Sequence, residues 1–175
     1  KYKAELCSGA YCVKDKAKLF DSAVASVVWY GCSVWALKKS EERKLTSAWR
    51  RMLRYVFRIH RRRTVGSDDA SEDWIDYVRR SAHSVDNLAS KLGMENWLQL
   101  HRRRKWRFAG RVARSEDGQW SRRILDWQPV SSRSWQRPLT RWTHQLAQYA
   151  GGSWMEIAMD TTYWSALEGG VVLKL

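Results

Sequence analysis

The chain has 175 residues and carries 32 lysines and arginines against 18 aspartates and glutamates, a formal net charge of +14. This length allows one good hydrophobic core or two small helical units. The positive charge favours polyanionic partners, either nucleic acid or an anionic membrane surface. No stretch approaches the roughly 18 apolar residues of a membrane span. With no signal-peptide core either, we expect no membrane partner and an intracellular location in the nucleus or cytoplasm.

Twelve tryptophans against two prolines indicate a compact helical domain rather than a disordered basic tail. For any single tryptophan, a core position is favoured over a stacking platform for a nucleotide base. Cys7, Cys12 and Cys32 are too few for a cysteine-only zinc site, and the histidines do not lie at zinc-finger offsets from them. The sequence therefore predicts neither a metal site nor a disulfide. Because the chain begins at Lys1 rather than methionine, we expect a fragment of a longer reading frame.

The first strong helical pattern begins at Lys14. Its apolar positions share one face, which widens until nearly the whole helix is apolar. These positions are Phe20, Ala23, Val24, Val27, Val28 and Trp29. The pattern predicts a buried helix, which Tyr30-Gly31-Cys32 interrupts.

When residues 40–63 are placed on a helix, the apolar and the basic side chains fall on different sides. Apolar side chains recur at three- and four-residue steps on one side, and arginines fall on the other. Ser40 is predicted as the N-cap, and Glu41 and Glu42 suit the positive end of the helix dipole. The apolar positions are Leu45, Ala48, Trp49, Met52, Leu53, Val56 and Ile59, and the arginines are Arg43, Arg50, Arg51, Arg54 and Arg58. One face is expected to pack on a core and the other to bind anions.

The charge reverses over residues 64–76, which favours a solvated acidic loop that leads into a short helix over residues 74–79. A second short helix is predicted over residues 84–92, with Gly93 at its C′ position. Within the loop, Asp68 and Asp69 are adjacent. A nuclease or polymerase centre needs two or three carboxylates that converge on a divalent metal. No strand is predicted to hold these two rigidly, so an acidic surface loop is favoured over a catalytic site.

A second two-faced helix is predicted over residues 95–114. Trp97, Leu98, Phe108, Ala109 and Val112 gather on one side, and Arg103, Arg107, Arg111 and Arg114 run along another. Such a stripe repels itself unless an anion lies along it, and a solvated face with counter-ions is the alternative. His101 and Lys105 fall on the apolar side. There we expect a hydrogen-bonded buried histidine and a lysine that reaches solvent, rather than catalytic groups.

The C-terminal part is predicted to be helical too. A short helix is expected over residues 120–127, and another from Pro138 to the glycines at 151 and 152. Ser153 and Glu156 form a capping-box pair for a last helix, which the glycines at 169 and 170 are expected to end.

Several short motifs follow one another along the chain. They occupy residues 16–24 (Lys-x-x-Leu-Phe-x-x-x-Val), 29–37, 51–54, 102–114, 124–129, 136–142 and 160–169. In this order they resemble the region that follows the catalytic palm in reverse transcriptases of non-LTR (LINE-like) retrotransposons. The family pattern differs from this sequence at Ser33, Arg111 and Gln136, where the family has Glu, His and Gly. The palm's aromatic-x-Asp-Asp motif is absent.

The resemblance implies a non-catalytic piece of an RNA-directed DNA polymerase. In such enzymes a helical thumb grips the template–primer duplex, and the basic region after it holds RNA or target DNA. The resemblance also implies that this fragment has no cofactor, since Mg²⁺ belongs with the absent palm. The palm domain of the parent chain is then the expected protein partner.

We therefore predict an all-α chain: a helical thumb-like bundle over residues 1–63, an acidic loop with short helices over 64–94, and a basic, Trp-rich helical region over 95–175. The predicted function is sequence-tolerant binding of RNA, DNA or an RNA–DNA hybrid, without catalysis. One alternative is an inert relic of a decayed element, and a less favoured one is a metal-dependent nuclease fragment that uses Asp68 or Asp69. Phosphate contacts are predicted for Arg50, Arg51, Arg54, Arg58, Arg61, Arg62, Arg63, Arg102, Arg103, Arg104, Arg107 and Arg111.

Overall fold

A computed structural model describes residues 2–62, 72–115, 119–126 and 142–174. Within these ranges all regular structure is helical, which confirms the all-α prediction. The chain divides into two compact units: unit 1 comprises Lys1–Tyr30 and Arg43–Trp97, and unit 2 comprises Gly31–Glu42 and Leu98–Leu175. None of the described helices combines the length and apolar character that crossing a bilayer requires.

Unit 1 begins with α1 (Lys3–Cys7) and α2 (Val13–Phe20), and α2 continues through a π-helical turn (Asp21–Ala25) into α3 (Ser26–Trp29). A π turn holds more residues than an α turn, so it rotates the positions that follow. Val27 is consequently 75% exposed, and the prediction that this helix is buried all round is wrong. Gly31 adopts φ = 67° after Tyr30, which confirms the predicted break.

Helix α4 spans Lys39–Val56 and is shorter than predicted. Ser40 is not its N-cap, because the Lys38 amide donates to the Glu41 carboxylate at 2.7 Å and the Lys38 carbonyl accepts from the amides of residues 41 and 42. Its C-terminal end is fixed by Arg58, whose φ of 56° is left-handed. The Ile59 amide then donates to the Arg54 carbonyl at 2.9 Å, as in a helix-ending Schellman turn. Residues 58–63 therefore do not extend the helix.

Helix α5 (Trp74–Lys91) is one continuous helix where two short ones were predicted. Polar residues at 79–83 interrupt the apolar pattern, but Ser81 is fully buried and donates to the Val78 carbonyl at 3.1 Å. Asp73 caps the helix by accepting from the Ile75 amide at 2.8 Å. Gly93 has φ = 70° and follows the helix as predicted.

The core of unit 1 contains aromatic side chains distant in sequence. The Phe20 ring stacks on the Trp97 indole with centroids 5.8 Å apart, and Trp29 meets the same indole edge-on, also at 5.8 Å. Leu53 of α4 and Val85 of α5 are completely buried. Burial of apolar area at about 25 cal/mol per Å² is the main stabilising term for such a cluster.

Unit 2 contains most of α6 (Trp97–Ala113), with α7 (Trp120–Asp126), α8 (His144–Ala150), α9 (Trp154–Met159) and α10 (Thr161–Lys174). The predicted last helix is thus two helices. Asp160 separates them because its carboxylate accepts from the amides of Thr162 and Tyr163, at 2.9 and 3.0 Å. Ser153 makes no side-chain cap bond, so the capping-box prediction is wrong. The glycines at 169 and 170 do not end α10, which continues to the fully buried Val171.

Two stacked indoles form the centre of unit 2. The rings of Trp106 and Trp164 lie 3.6 Å apart at 3°. Each indole N–H donates to the other residue's backbone carbonyl, at 2.9 and 3.0 Å, so both polar edges are satisfied inside the core. Leu146, Trp154 and Ala158 complete the cluster. The predicted core use of tryptophan holds here.

Gly110 on α6 is predicted to tolerate no side chain, because a β-carbon there would lie 2.7 Å from Trp164 Nε1 and 2.8 Å from its Cδ1. The two reciprocal hydrogen bonds prevent the indole from moving away. We expect Gly110→Ala to lower the free energy of unfolding in urea by about 1–3 kcal/mol. The matched control is Gly169→Ala, a helical glycine with nothing within 4 Å. It should gain about 0.5–1 kcal/mol of helix propensity. Equal stability of the two variants would contradict this packing.

Candidate nucleic-acid interface

The arginines of α4 divide between two sides of the helix. Arg50 forms a bidentate pair with Asp86 of α5, at 3.0 Å from Nε and 2.7 Å from Nη2. Arg54 donates to the Ser81 hydroxyl at 3.1 Å. Both side chains therefore join α4 to α5, and the prediction that they lie on one outward face with Arg51 is wrong. The sequence pattern showed the polar side of α4 but not the helix that packs against part of it.

Three cations and one tyrosine that α4 presents to solvent form what we call the α4 outer surface, which comprises Arg43, Lys44, Arg51 and Tyr55. All four are exposed, and Tyr55 retains 59% of its surface. Arg51 lies one helical turn before Tyr55, so the two side chains are neighbours. Among the described residues, Arg51 has no carboxylate partner. A guanidinium next to an exposed phenol can bind an incoming phosphate.

The predicted arginines after α4 follow a loop rather than a helical stripe. Arg58 is exposed, and its Nη1 lies 2.5 Å from the position that a β-carbon on Gly9 would occupy. Arg61 donates from Nε to the Glu72 carbonyl at 3.1 Å, and from Nη2 to the same oxygen. Arg62 has an exposed side chain. Arg63 lies outside the described residues.

The Glu72 carboxylate lies next to these arginines but binds Arg80. Arg80 donates to it from Nε at 2.7 Å and from Nη2 at 2.6 Å. These hydrogen bonds from Arg80 are the largest cause that lowers the pKa of Glu72 to about 2, and the bond from the Arg62 amide adds to them. Glu72 is therefore ionised at neutral pH, and its strongest side-chain bonds go to α5.

Helix α6 also turns some of its arginines toward the chain's own carboxylates. Arg102 is only 11% exposed and donates to the buried Glu42 carboxylate at 3.1 Å. Arg103 lies 3.3 Å from Glu168, and Arg107 binds the same carboxylate through two bonds of 2.8 Å. Arg102, one of the arginines predicted to contact phosphate, is therefore turned inward. One carboxylate also serves two guanidiniums, so this part of the stripe keeps an excess of positive charge.

The outward part of α6, which we call the α6 outer surface, comprises Arg104, Arg107 and Arg111, at steps of three and four residues. All three are exposed, and the Arg107 side chain keeps 64% exposure despite its bonds to Glu168. The Arg111 guanidinium lies 5.7 Å from the centroid of the Phe108 ring. On the opposite side Trp106 is fully buried. The helix thus anchors through its indole and presents guanidiniums at helical spacing.

A buried polar chain lies behind the α6 outer surface. Lys105 is 2% exposed and donates from Nζ to Gln145 Oε1 at 2.7 Å, and the Gln145 amide donates to Glu42 at 3.0 Å. Burial lowers the pKa of Lys105 from 10.5 to about 8, although the nearby Glu42 opposes this shift. The prediction that Lys105 reaches solvent is wrong, because Gln145 and Glu42 satisfy its charge inside the unit.

His101 is completely buried and lies against Trp35, with ring centroids 5.9 Å apart. Neither ring nitrogen meets the strict geometry of a hydrogen bond, although the Cys32 backbone lies close enough to interact with the ring. Burial, and then the charge of Lys105, lower the pKa of His101 from 6.5 to about 4; the Cys32 backbone acts in the opposite direction. His101 is therefore neutral at physiological pH and belongs to the core.

In the described part of the chain, no group of three His, Cys, Asp or Glu side chains is placed to hold a metal ion. Asp68 and Asp69 lie outside this part, so a nuclease built on them stays a hypothesis. Sequence reasoning did not single out two strongly exposed indoles, Trp74 and Trp120, which retain 60% and 75% of their surface. The arginines close to each of these tryptophans were the feature of the sequence that could have indicated their exposure.

The chain is similar to a transposon-derived protein of Caenorhabditis elegans, F52C9.6, with 29% identity over 169 residues. The match covers 88% of this chain and 54% of the relative, so the chain spans about half the length of the curated relative it matches. This similarity indicates a transposon-related origin. No family model and no solved structure matches the chain.

The inward and outward arginines of α4 are expected to differ in their effect on stability. Arg50→Ala removes a bidentate, half-exposed pair with Asp86 and should lower the free energy of unfolding by about 1 kcal/mol. Arg51→Ala, one residue further along the same helix, should change it by less than about 0.5 kcal/mol. Urea unfolding of the two variants measures both values. A larger loss for Arg51→Ala would show that the two sides of α4 have been assigned the wrong way round.

The buried His101 predicts a pH dependence of stability. Its pKa is about 4 when folded and 6.5 when unfolded, so the unfolded chain binds more protons between these values. Stability should therefore fall as the pH drops from 6.5 to 4, with about 3 kcal/mol lost through this group. His101→Phe should flatten the profile of unfolding free energy against pH. His83→Ala, a change at an exposed histidine, should leave the profile steep. Identical slopes in wild type and His101→Phe would rule out this assignment.

Proposed function

We propose that the chain is a non-catalytic nucleic-acid-binding segment of a transposon-derived protein, and that it binds RNA, DNA or an RNA–DNA hybrid through phosphate groups. The main support for the proposal is that some arginines pair within the chain while others remain exposed to solvent. The Arg50 and Arg102 guanidiniums bind the chain's own carboxylates, whereas those of Arg51 and Arg111 stay exposed on helices anchored by buried indoles. Phosphates are the partners that suit such exposed guanidiniums.

The charge of each unit supports the proposal independently. Unit 1 contains 17 basic and 10 acidic residues, and unit 2 contains 15 and 8, a net charge of +7 in each. The excess is therefore not confined to one tail or loop. Such a charge attracts polyanions without reading their sequence and raises the rate of association at low salt.

The mode of binding follows from the way the exposed arginines are held. Helices α4 and α6 are anchored by buried indoles, so their guanidiniums are spaced in advance at helical intervals. Phosphate contacts from such a surface fix orientation but carry no base information. In an A-form duplex the phosphates and the shallow minor groove are accessible to side chains. Sequence-tolerant binding of RNA-containing duplex is therefore the preferred form of the proposal.

The finer proposal is that the chain corresponds to the thumb and following region of a non-LTR reverse transcriptase. Several residues of the matching motifs have a shared packing role, which supports a common architecture. Trp106 stacks on Trp164, Gly110 lets that indole approach α6, and Asp160 caps the helix that carries Trp164. On this proposal the palm of the parent chain is the protein partner, Mg²⁺ belongs to that palm, and the protein acts inside the cell.

Salt-dependent binding tests the proposal. The double variant Arg51→Ala/Arg111→Ala removes one exposed guanidinium from each outer surface, and Lys14→Ala/Lys91→Ala removes two exposed cations elsewhere. Each lost phosphate contact lowers the slope of log affinity against log salt by about 0.9 on B-form duplex. The arginine variant should lose about 2 from this slope, and the lysine variant clearly less. Fluorescence anisotropy with labelled duplex at several salt concentrations measures both.

Three other outcomes would contradict the proposal in different ways. A wild-type affinity that does not vary with salt would remove phosphate binding altogether. Equal losses in the two double variants would mean attraction by overall charge without a shaped surface, as the alternative of an inert relic predicts. Cleavage or extension of labelled duplex by the purified chain with Mg²⁺ would contradict a non-catalytic role and favour a nuclease or polymerase fragment.

A further inference from the structure

An indole and several guanidiniums lie together at the start of α5 in unit 1. Trp74 is 60% exposed, whereas Trp49 and Trp97 of the same unit are 2% and 3% exposed. The Arg61 guanidinium lies 5.9 Å from the centroid of the Trp74 ring. Arg62, which follows Arg61 in the chain, also has an exposed side chain. Trp74 is therefore a large exposed aromatic group in a cationic setting.

The supporting residues hold Trp74 in a fixed position. The Asp73 carboxylate caps α5, so Trp74 is the first residue of a regular helix. Its ring contacts Tyr77 with centroids 5.6 Å apart, and the Tyr77 hydroxyl donates to the Ile59 carbonyl at 3.1 Å. The guanidiniums of Arg54 and Arg80 each lie 5.8 Å from the Tyr77 ring centroid. The ring that supports Trp74 is thus anchored from α4, α5 and the loop between them.

The chemistry of this patch selects one kind of partner. Trp74 offers an exposed indole beside the Arg61 guanidinium. Arg61 fixes its guanidinium on a backbone carbonyl, which leaves its charge without a carboxylate at that bond. Aromatic faces flanked by guanidiniums bind unpaired nucleic acid, whose bases stack while its phosphates meet the cations. In a duplex the bases are already stacked and paired, so they are not available to Trp74.

We propose that Trp74 is a stacking platform for an unpaired nucleotide base, and that the Arg61 guanidinium beside it takes an adjoining phosphate. This inference deepens the proposed function, on which it rests. It assigns single-stranded RNA or DNA to a surface in unit 1 that differs from the α4 outer surface. The chain then binds an unpaired strand by base stacking, in addition to its sequence-tolerant binding of phosphates.

The test compares two single-stranded oligonucleotides of equal length, one with all its bases and one in which every position is abasic. Because one stacking contact with a base is lost, Trp74→Ala should weaken binding of the base-bearing strand by roughly tenfold. It should leave affinity for the abasic strand unchanged, because the phosphates are the same. Trp74→Phe should restore most of the loss. Ile75→Ala, which removes an exposed apolar side chain from the same turn, is the matched control and should have little effect.

Each other outcome overturns the inference. Equal weakening on both strands would assign Trp74 a role in positioning arginines rather than in stacking. A loss from Ile75→Ala as large as that from Trp74→Ala would indicate a general apolar contact. If Trp74→Ala changes nothing while Arg51→Ala/Arg111→Ala weakens duplex binding, stacking fails and the proposed function stands. If the wild-type chain binds neither strand nor duplex, both fail. Urea unfolding of Trp74→Ala, an exposed site, checks that the variant remains folded.

Discussion

The main constraint on this structure is that the chain has fewer carboxylates than cations, with 18 acidic residues and 32 basic ones. A guanidinium that is drawn into the interior needs a charged or hydrogen-bonding partner, since an unpaired buried charge costs several kcal/mol. The few well-placed carboxylates therefore go to arginines that join helices, as Asp86 does for Arg50 and Glu42 for Arg102. Arg51 and Arg111, for which the described residues offer no carboxylate partner, lie on the surface. The pairs that hold each unit together thus also decide which guanidiniums are left for an external anion.

The existence of the two amphipathic helices could be predicted from sequence, because apolar spacing depends only on neighbours along the chain. Which arginines turn inward could not, since Asp86 lies 36 residues from Arg50 and Glu42 lies 60 residues from Arg102. The predicted ends of helices were wrong for a similar reason. Arg58 takes a left-handed conformation that glycine usually occupies, and α5 continues through Ser81 because the fold buries and hydrogen-bonds its hydroxyl. The spacing of apolar residues in the sequence does not indicate that Trp74 is exposed.

The core of unit 2 explains why motif residues far apart in sequence occur together. Trp106 and Trp164 satisfy each other's indole N–H groups, and this arrangement requires a residue without a side chain at Gly110. The same helix places Arg107 and Arg111 on the opposite side. One amphipathic pattern therefore buries Trp106 in the core and exposes the two arginines to solvent. Buried Lys105 and Glu42, joined by the half-buried Gln145, add a polar chain behind it. Similarity to a transposon-derived protein indicates the origin of this architecture. The exposed arginines support the proposal that it binds nucleic acid.

The division of the arginines can be observed directly by NMR of their Nε–Hε groups during titration with a short RNA-containing duplex. The account predicts that the signals of Arg51 and Arg111 move on binding, whereas those of Arg50 and Arg102 keep their positions because Asp86 and Glu42 hold them. Larger shifts at Arg50 and Arg102 than at Arg51 and Arg111, or no shift at any arginine, would contradict it.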